Sequence, residues 1–125
     1  GSPARIPHLT EQLKMVLEEI RLRYGEPLSV GDAARLAGYS EAHLMRVFKQ
    51  VTGQTFVGYL NDYRLSAASY FLRRTDDSVS HIARSCGFDN PSYFNRRFKA
   101  RYGVTPGAYR KGAETGGPAV GSPAL

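Results

Sequence analysis

Apolar residues along this chain recur three, four and seven positions apart, the spacing that gathers side chains on one face of a helix. Leu9, Leu13, Val16, Leu17, Ile20 and Tyr24 carry the first such face, and Gly25 followed by Pro27 ends it. Ser29 can cap a short helix bearing Val30, Ala33, Ala34 and Ala37, closed by Gly38. Ser40 can cap the next, bearing Leu44, Val47, Phe48 and Val51, closed by Gly53. Thr55 opens a longer helix to about Arg74 with two apolar stripes. Phe56, Tyr59, Leu60, Tyr63, Ala67 and Tyr70 form one, and Leu65, Ala68 and Leu72 lie nearly opposite, so this helix is predicted to be packed on both sides. Ser78 then caps Val79, Ile82, Ala83 and Cys86, closed by Gly87. Asn90, with Pro91 at the first helical position, starts a helix carrying Phe94, Phe98 and Tyr102, closed by Gly103. Thr105 and Pro106 open a last short helix reaching Tyr109, and the chain reads as all-α.

The second half of this pattern repeats the first. GYSEAHLMRVFKQVTGQTFVGYL (38 to 60) lies over GFDNPSYFNRRFKARYGVTPGAYR (87 to 110), with one extra residue in the second copy after the turn. Val30, Ala34, Arg35 and Gly38 match Val79, Ala83, Arg84 and Gly87; Arg46, Phe48, Lys49, Gly53, Thr55 and Tyr59 match Arg96, Phe98, Lys99, Gly103, Thr105 and Tyr109. Each copy is a short helix, a Gly-containing turn and a second helix, the helix-turn-helix pattern whose second helix enters a DNA major groove. The expected boundaries are about 29–53 for the first unit, 55–74 for a linker helix and 78–103 for the second unit. Projected at about 100° per residue, Leu44, Val47, Phe48 and Val51 turn inward and Ala42, Met45, Arg46 and Lys49 outward. In the second copy Phe94 and Phe98 turn inward, and Ser92, Asn95, Arg96 and Lys99 outward. Arg97 and Arg101 fall towards the inward side, where their stems can cover core edges and their heads reach a backbone phosphate. Tyr93 counts with Phe94 and Phe98 among the rings that want a dry core. The linker, roughly 27 Å long at 1.5 Å per residue, approaches the ~34 Å between successive major-groove faces.

Composition sharpens this reading. The chain has 125 residues, enough for one domain with a modest core or for two very small ones sharing an element, and one globular unit is the expectation. Its formal charge is +6 and its pI near 9.7, a balance that suits a polyanionic partner. Residues 1 to 77 hold 10 Lys/Arg against 9 Asp/Glu, whereas residues 78 to 125 hold 7 against 2, so the positive field is concentrated in the second unit. A single cysteine, Cys86, excludes an intrachain disulfide and a Cys-rich zinc site, and suits a reducing cytoplasm. No apolar run approaches the ~20 residues of a membrane span. Residues 1–7, opening on Gly1-Ser2, read as a cloning scar and flexible leader. The Gly-, Pro- and Ala-rich stretch 112–125 reads as a disordered tail.

The residues Gly87, Phe88, Ser92, Tyr93, Phe94, Arg96, Phe98, Lys99, Gly103, Thr105, Pro106, Tyr109 and Arg110 spell GFxxxSYFxRxFKxxxGxTPxxYR. This resembles the C-terminal signature of the AraC/XylS family of bacterial transcription regulators. LAGYSEAHLMRVFKQVTG, followed by YLNDYRLSAA, is similar to that family's first helix-turn-helix and linker. Over residues 8–111 the resemblance implies a DNA-binding domain of about seven helices with two helix-turn-helix subdomains on a long linker helix. It implies sequence-specific promoter binding and activation by contact with RNA polymerase. The matching base readers are Ala42, Met45 and Arg46 on the first reading helix, and Pro91, Ser92, Asn95 and Arg96 on the second. Because Ala42 and Met45 cannot hydrogen-bond a base, the first helix is expected to read through Arg46 and apolar contact with thymine methyls. The resemblance also implies an effector-binding or dimerisation domain for which this length has no room. The Gly-Ser start favours an excised domain over a small stand-alone regulator.

His43, Lys49, Arg97 and Lys99 are the candidate backbone contacts, weighed against plain solvated charge. Arg35 and Arg84, matched on the first helices, could touch the DNA backbone or pair with local acids, and the structural role is the one expected. His8 and His81 have no partners at ligand spacing, so neither metal nor cofactor is expected. Cys86, matched to Ala37, reads as a small core residue. The serines are largely used as caps, which argues against a hydrolase, and the helical spacing of the rings argues against a stacking sheet for RNA. The competing reading is a helical protein-interaction module with only non-specific DNA affinity, which would be lost at moderate salt.

Overall fold

Among the described residues seven helices follow the order of the caps: α1 (Glu11–Arg23), α2 (Val30–Ala37), α3 (Glu41–Thr52), α4 (Phe56–Arg74), α5 (Val79–Ser85), α6 (Pro91–Tyr102) and α7 (Pro106–Glu114). The structure, a computed structural model, describes residues 10–114, with side chains described to Gly112. No strand occurs among the described residues. Leu9, His8, the leader and residues 115–125 of the expected tail lie outside them. The chain divides between Asp62 and Tyr63, within α4, into two compact units.

In the first unit Thr10 caps α1 by accepting from the Leu13 amide at 3.1 Å, and its hydroxyl meets that of Tyr39 at 3.1 Å. Leu13, Val16 and Ile20 are fully buried. They face α2, whose inner side is Ala33, Ala34 and Ala37; small residues there let helices approach closely. Ser29 and Asp32 form a reciprocal capping box. The Ser29 amide and hydroxyl, then Arg35, hold the Asp32 carboxyl below the usual carboxylate range. Leu44 and Phe48 of α3 complete the core, with Phe48 edge-on to Phe56 and Tyr59 at 5.6 and 5.3 Å.

The second unit reproduces this geometry from the matched residues. Ser78 and Asn90 cap α5 and α6, as Ser29 and Ser40 cap α2 and α3. The Phe88 amide donates to Ala83 O at 2.9 Å as Tyr39 does to Ala34 O. Phe98 meets Tyr109 edge-on at 5.3 Å, as Phe48 meets Tyr59. Gly53 and Gly103 close α3 and α6 with φ of 79° and 83°, each donating to the carbonyl of its matched lysine, Lys49 or Lys99. Only glycine adopts that left-handed turn without penalty.

Two expectations need correcting. Tyr70 does not continue the first buried stripe of α4; it is 41% exposed, with the Arg74 guanidinium 4.9 Å from its ring centroid. Below Asp62 the helix serves the second unit instead, burying Leu65, Ala68 and Leu72. Between them it buries two serines: Ser69 donates to Ser66 O at 2.8 Å and accepts from the Tyr102 hydroxyl at 3.4 Å, and Ser66 accepts from Arg101 at 3.3 Å. The final helix also runs past Tyr109 to Glu114, so residues 112–114 of the expected tail are helical. Gly112 is a poor helix former, but the Ala113 beside it is the best, and no proline intervenes before Pro118.

Candidate nucleic-acid interface

The outer faces of α3 and α6 are assembled by the same rule. Each inner face is tied down by two large apolar anchors, Leu44 with Phe48 and Phe94 with Phe98, all fully buried. The residues half a turn away are thereby forced into solvent. On α3 these are Ala42, Met45, Arg46 and Lys49, with Met45 48% exposed; on α6 they are Pro91, Ser92, Asn95, Arg96 and Lys99. The expected base readers therefore lie on exposed helical faces in both units.

Carboxylate pairing separates these faces from those of α1 and α2. Cations on α1 and α2 are paired locally: Lys14 with Glu11, Arg21 with Glu18, Arg23 with Glu19 and Glu26, and Arg35 with Asp32. Arg46, Lys49, Arg96 and Lys99 have no carboxylate partner among the described residues. Arg84, the counterpart of Arg35, is exposed and likewise unpaired, because His81 stands where α2 has Asp32. The expected local pairing holds for Arg35 and fails for Arg84.

Other candidates are more constrained. His43 is half-buried, stacked on Tyr39 with ring centroids 4.3 Å apart. Arg97 is half-buried, with Nε buried and unpartnered, and its place on the inward edge follows the projection. Arg101 stays on that side too, spanning to Ser66 and lying 5.4 Å from the Tyr102 ring centroid. Behind the α5–α6 turn, burial lowers the pKa of Arg64, with Asp89 opposing the shift. Burial pushes the Cys86 thiol up to about 12, consistent with a small core residue at the Ala37 position. Among the described residues no three His, Cys, Asp or Glu side chains gather as a metal site would require.

Two aromatic residues add to the site beyond the residues singled out from sequence. Tyr93 does not enter the core: it is 36% exposed, beside Phe88 at 6.3 Å, and the Arg96 guanidinium stands 5.9 Å from its ring centroid. Tyr39 holds His43 at the matched place in the first unit. The signal was the repeat itself, which sets Tyr39 and His43 over Phe88 and Tyr93.

Comparison with known proteins bears on what such faces contact. A helix-turn-helix domain family matches residues 33–112. The transcriptional regulator Rob of Salmonella typhimurium is 40% identical over 89 residues, covering 71% of this chain and 31% of that protein. The TetD protein of transposon Tn10 from Escherichia coli is 38% identical over 102 residues, 82% of this chain and 74% of that protein. The chain thus spans about a third of Rob and most of TetD. Among solved structures, the DNA-binding domain of AdpA in complex with a target DNA superposes with a TM-score of 0.78 at 27% identity, covering 83% of this chain and 93% of that one. A transcriptional regulator with an AraC-type DNA-binding domain from Chromobacterium violaceum gives 0.77 at 29% identity, covering 85% and 95%.

Proposed function

Because the chain belongs to the AraC-type family of helix-turn-helix transcription regulators, as a DNA-binding domain, we propose that it reads promoter DNA with both α3 and α6. Each helix occupies a major-groove segment, and the two segments are adjacent. Ala42, Met45 and Arg46 read bases from α3, and Pro91, Ser92, Asn95 and Arg96 from α6. His43, Lys49, Arg97 and Lys99 contact phosphates. The observation that carries this is the matched pair of exposed cations, Arg46 with Lys49 and Arg96 with Lys99, free of carboxylates on the second helix of each unit. An exposed Arg fork matches the O6 and N7 acceptors of guanine, and Lys supplies a point charge for phosphate. Met45 and Ala42 offer apolar contact for thymine methyls, so the two boxes differ in chemistry.

In the whole protein this domain serves as a promoter activator in the bacterial cytoplasm, bound at the nucleoid. RNA polymerase is its protein partner, and an effector-binding domain controls it. The AdpA complex with DNA and the naming of Rob as a transcriptional regulator support the DNA-binding and regulatory part of that role.

Selection of the purified protein on a random DNA pool at about 150 mM salt tests the reading, since non-specific binding weakens steeply there. Enrichment of two boxes about one helical turn apart is expected. A single box would restrict base reading to one helix. Binding that is blind to sequence and vanishes with salt would favour a protein-interaction module instead.

A further inference from the structure

Three of the four rings on α6, those of Phe94, Phe98 and Tyr102, are buried, and Tyr93 stands apart from them at 36% exposure. It is not left loose. Phe88, 5% exposed in the turn before α6, tilts against Phe94 at 5.1 Å and against Tyr93 at 6.3 Å. Tyr93 is thus braced from the core side, and one turn further along α6 the Arg96 guanidinium carbon lies 5.9 Å from its ring centroid. A ring face attracts a cation at that range. The residues at the corresponding places in the first unit are also two rings, Tyr39 and His43, stacked with an interplanar angle of 19°. A ring pair ahead of the reading arginine therefore recurs in both units, although only in the second does the second ring carry the arginine.

We infer that Tyr93 is a positioning residue that holds Arg96 ready for a guanine edge. The inference rests on the promoter-reading role proposed above. Recognition of guanine by arginine needs both arms of the fork aligned with O6 and N7, and an arginine on a bare helix surface samples many rotamers. A ring fixed on one side removes part of that freedom before binding, so less is lost when the contact forms. The advantage applies only where the fork must be oriented. It should raise discrimination at one base rather than affinity for all sequences.

The test begins with the site selected by the wild-type protein and the base pair at which Arg96→Ala relaxes preference. Binding to that site and to its single-base variants is then measured for Tyr93→Leu, Tyr93→Gln and Tyr93→Phe, with thermal unfolding of each. Tyr93→Phe keeps the ring and should discriminate as wild type. Tyr93→Leu and Tyr93→Gln should lose about two- to fivefold of the discrimination at that base, the range of a cation–ring contact at an exposed site, with the salt dependence unchanged. In an Arg96→Ala background neither should have any further effect. Wild-type discrimination by both Leu and Gln variants would overturn the inference. So would equal loss in Tyr93→Phe, which would assign the effect to the hydroxyl, or a uniform loss over all sequences. A protein that selects no site overturns both this inference and the promoter-reading role; a selected site that Arg96→Ala relaxes, with Tyr93 silent, overturns this one alone.

Discussion

Arg96 lies exposed on α6 without a carboxylate, whereas Arg110 is half-buried and donates from Nε to Leu72 O and from Nη2 to Thr75 O, both at 3.0 Å. The two side chains are alike, and their partners separate their roles. Arg96→Ala is expected to cost about 1–3 kcal/mol of binding and to relax one base position, measured by competition against single-base variants, with the unfolding midpoint unchanged. Arg110→Ala should instead lower stability by about 2–4 kcal/mol, since it removes two charged hydrogen bonds from carbonyls at the end of α4, read by urea unfolding. Cys86 has a consequence of another kind. Its folded pKa, about 12, exceeds its ordinary value of 9.0 because burial disfavours the thiolate. The folded state therefore keeps a proton that the unfolded chain gives up, and stability drawn from this thiol is full below about pH 9 and declines towards 12. Cys86→Ala, which installs the residue found at position 37, should flatten that decline; urea midpoints between about pH 8 and 10.5 compare the two.

At the scale of the element, caps and periodicity made six of the seven described helix starts legible to the residue, because Ser, Thr and Asn there accept from local backbone N–H groups, and Pro at the first helical position has its φ preset and lacks only an N–H that would find no partner. The start of α1, capped by Thr10 rather than running from Leu9, shows the limit of using apolar rhythm alone. The exposed faces of α3 and α6 were legible for the same local reason, since the buried anchors determine them. What escaped was decided by residues distant in sequence. Tyr70 reads as part of a stripe until α4 changes unit at Asp62, and the burial of Ser66 and Ser69 is settled only where Arg101 and Tyr102 reach them. Tyr93 reads as core because rings usually are, yet its neighbours Phe94 and Phe98 already occupy the inward face. The glycine ends of the reading helices test the repeat directly. A Cβ at Gly53 or Gly103 would meet nothing within 4 Å, so only the left-handed backbone resists substitution. Gly53→Ala and Gly103→Ala should each cost about 1–2 kcal/mol, and the asparagine variants less, measured by chemical unfolding. A much larger loss at either would mean that the turn carries more than backbone strain.

Over the whole molecule, charge is distributed less evenly than the repeat. The second unit has Arg97 and Arg101 where the first has Val47 and Val51, and Arg84 is unpaired where Arg35 is bound to Asp32. The two units thus share a backbone plan but differ in electrostatic strength, which follows from the charge difference between residues 1–77 and 78–125. Counterions released from DNA are counted by the slope of log affinity against log salt, at about 0.9 per neutralised phosphate. Removing a lysine that contacts phosphate should lower that slope by about 1 and weaken all sequences alike. Lys49→Ala and Lys99→Ala are both expected to do so, measured by fluorescence anisotropy from about 50 to 250 mM salt on the selected site and on a scrambled duplex. The lysines are matched in position and exposure, so the two slopes should change equally even though their surroundings differ in charge. Loss confined to Lys99→Ala would mean that the first unit meets DNA without its lysine at a phosphate, and that the cations of the second unit carry the electrostatic part of binding by themselves.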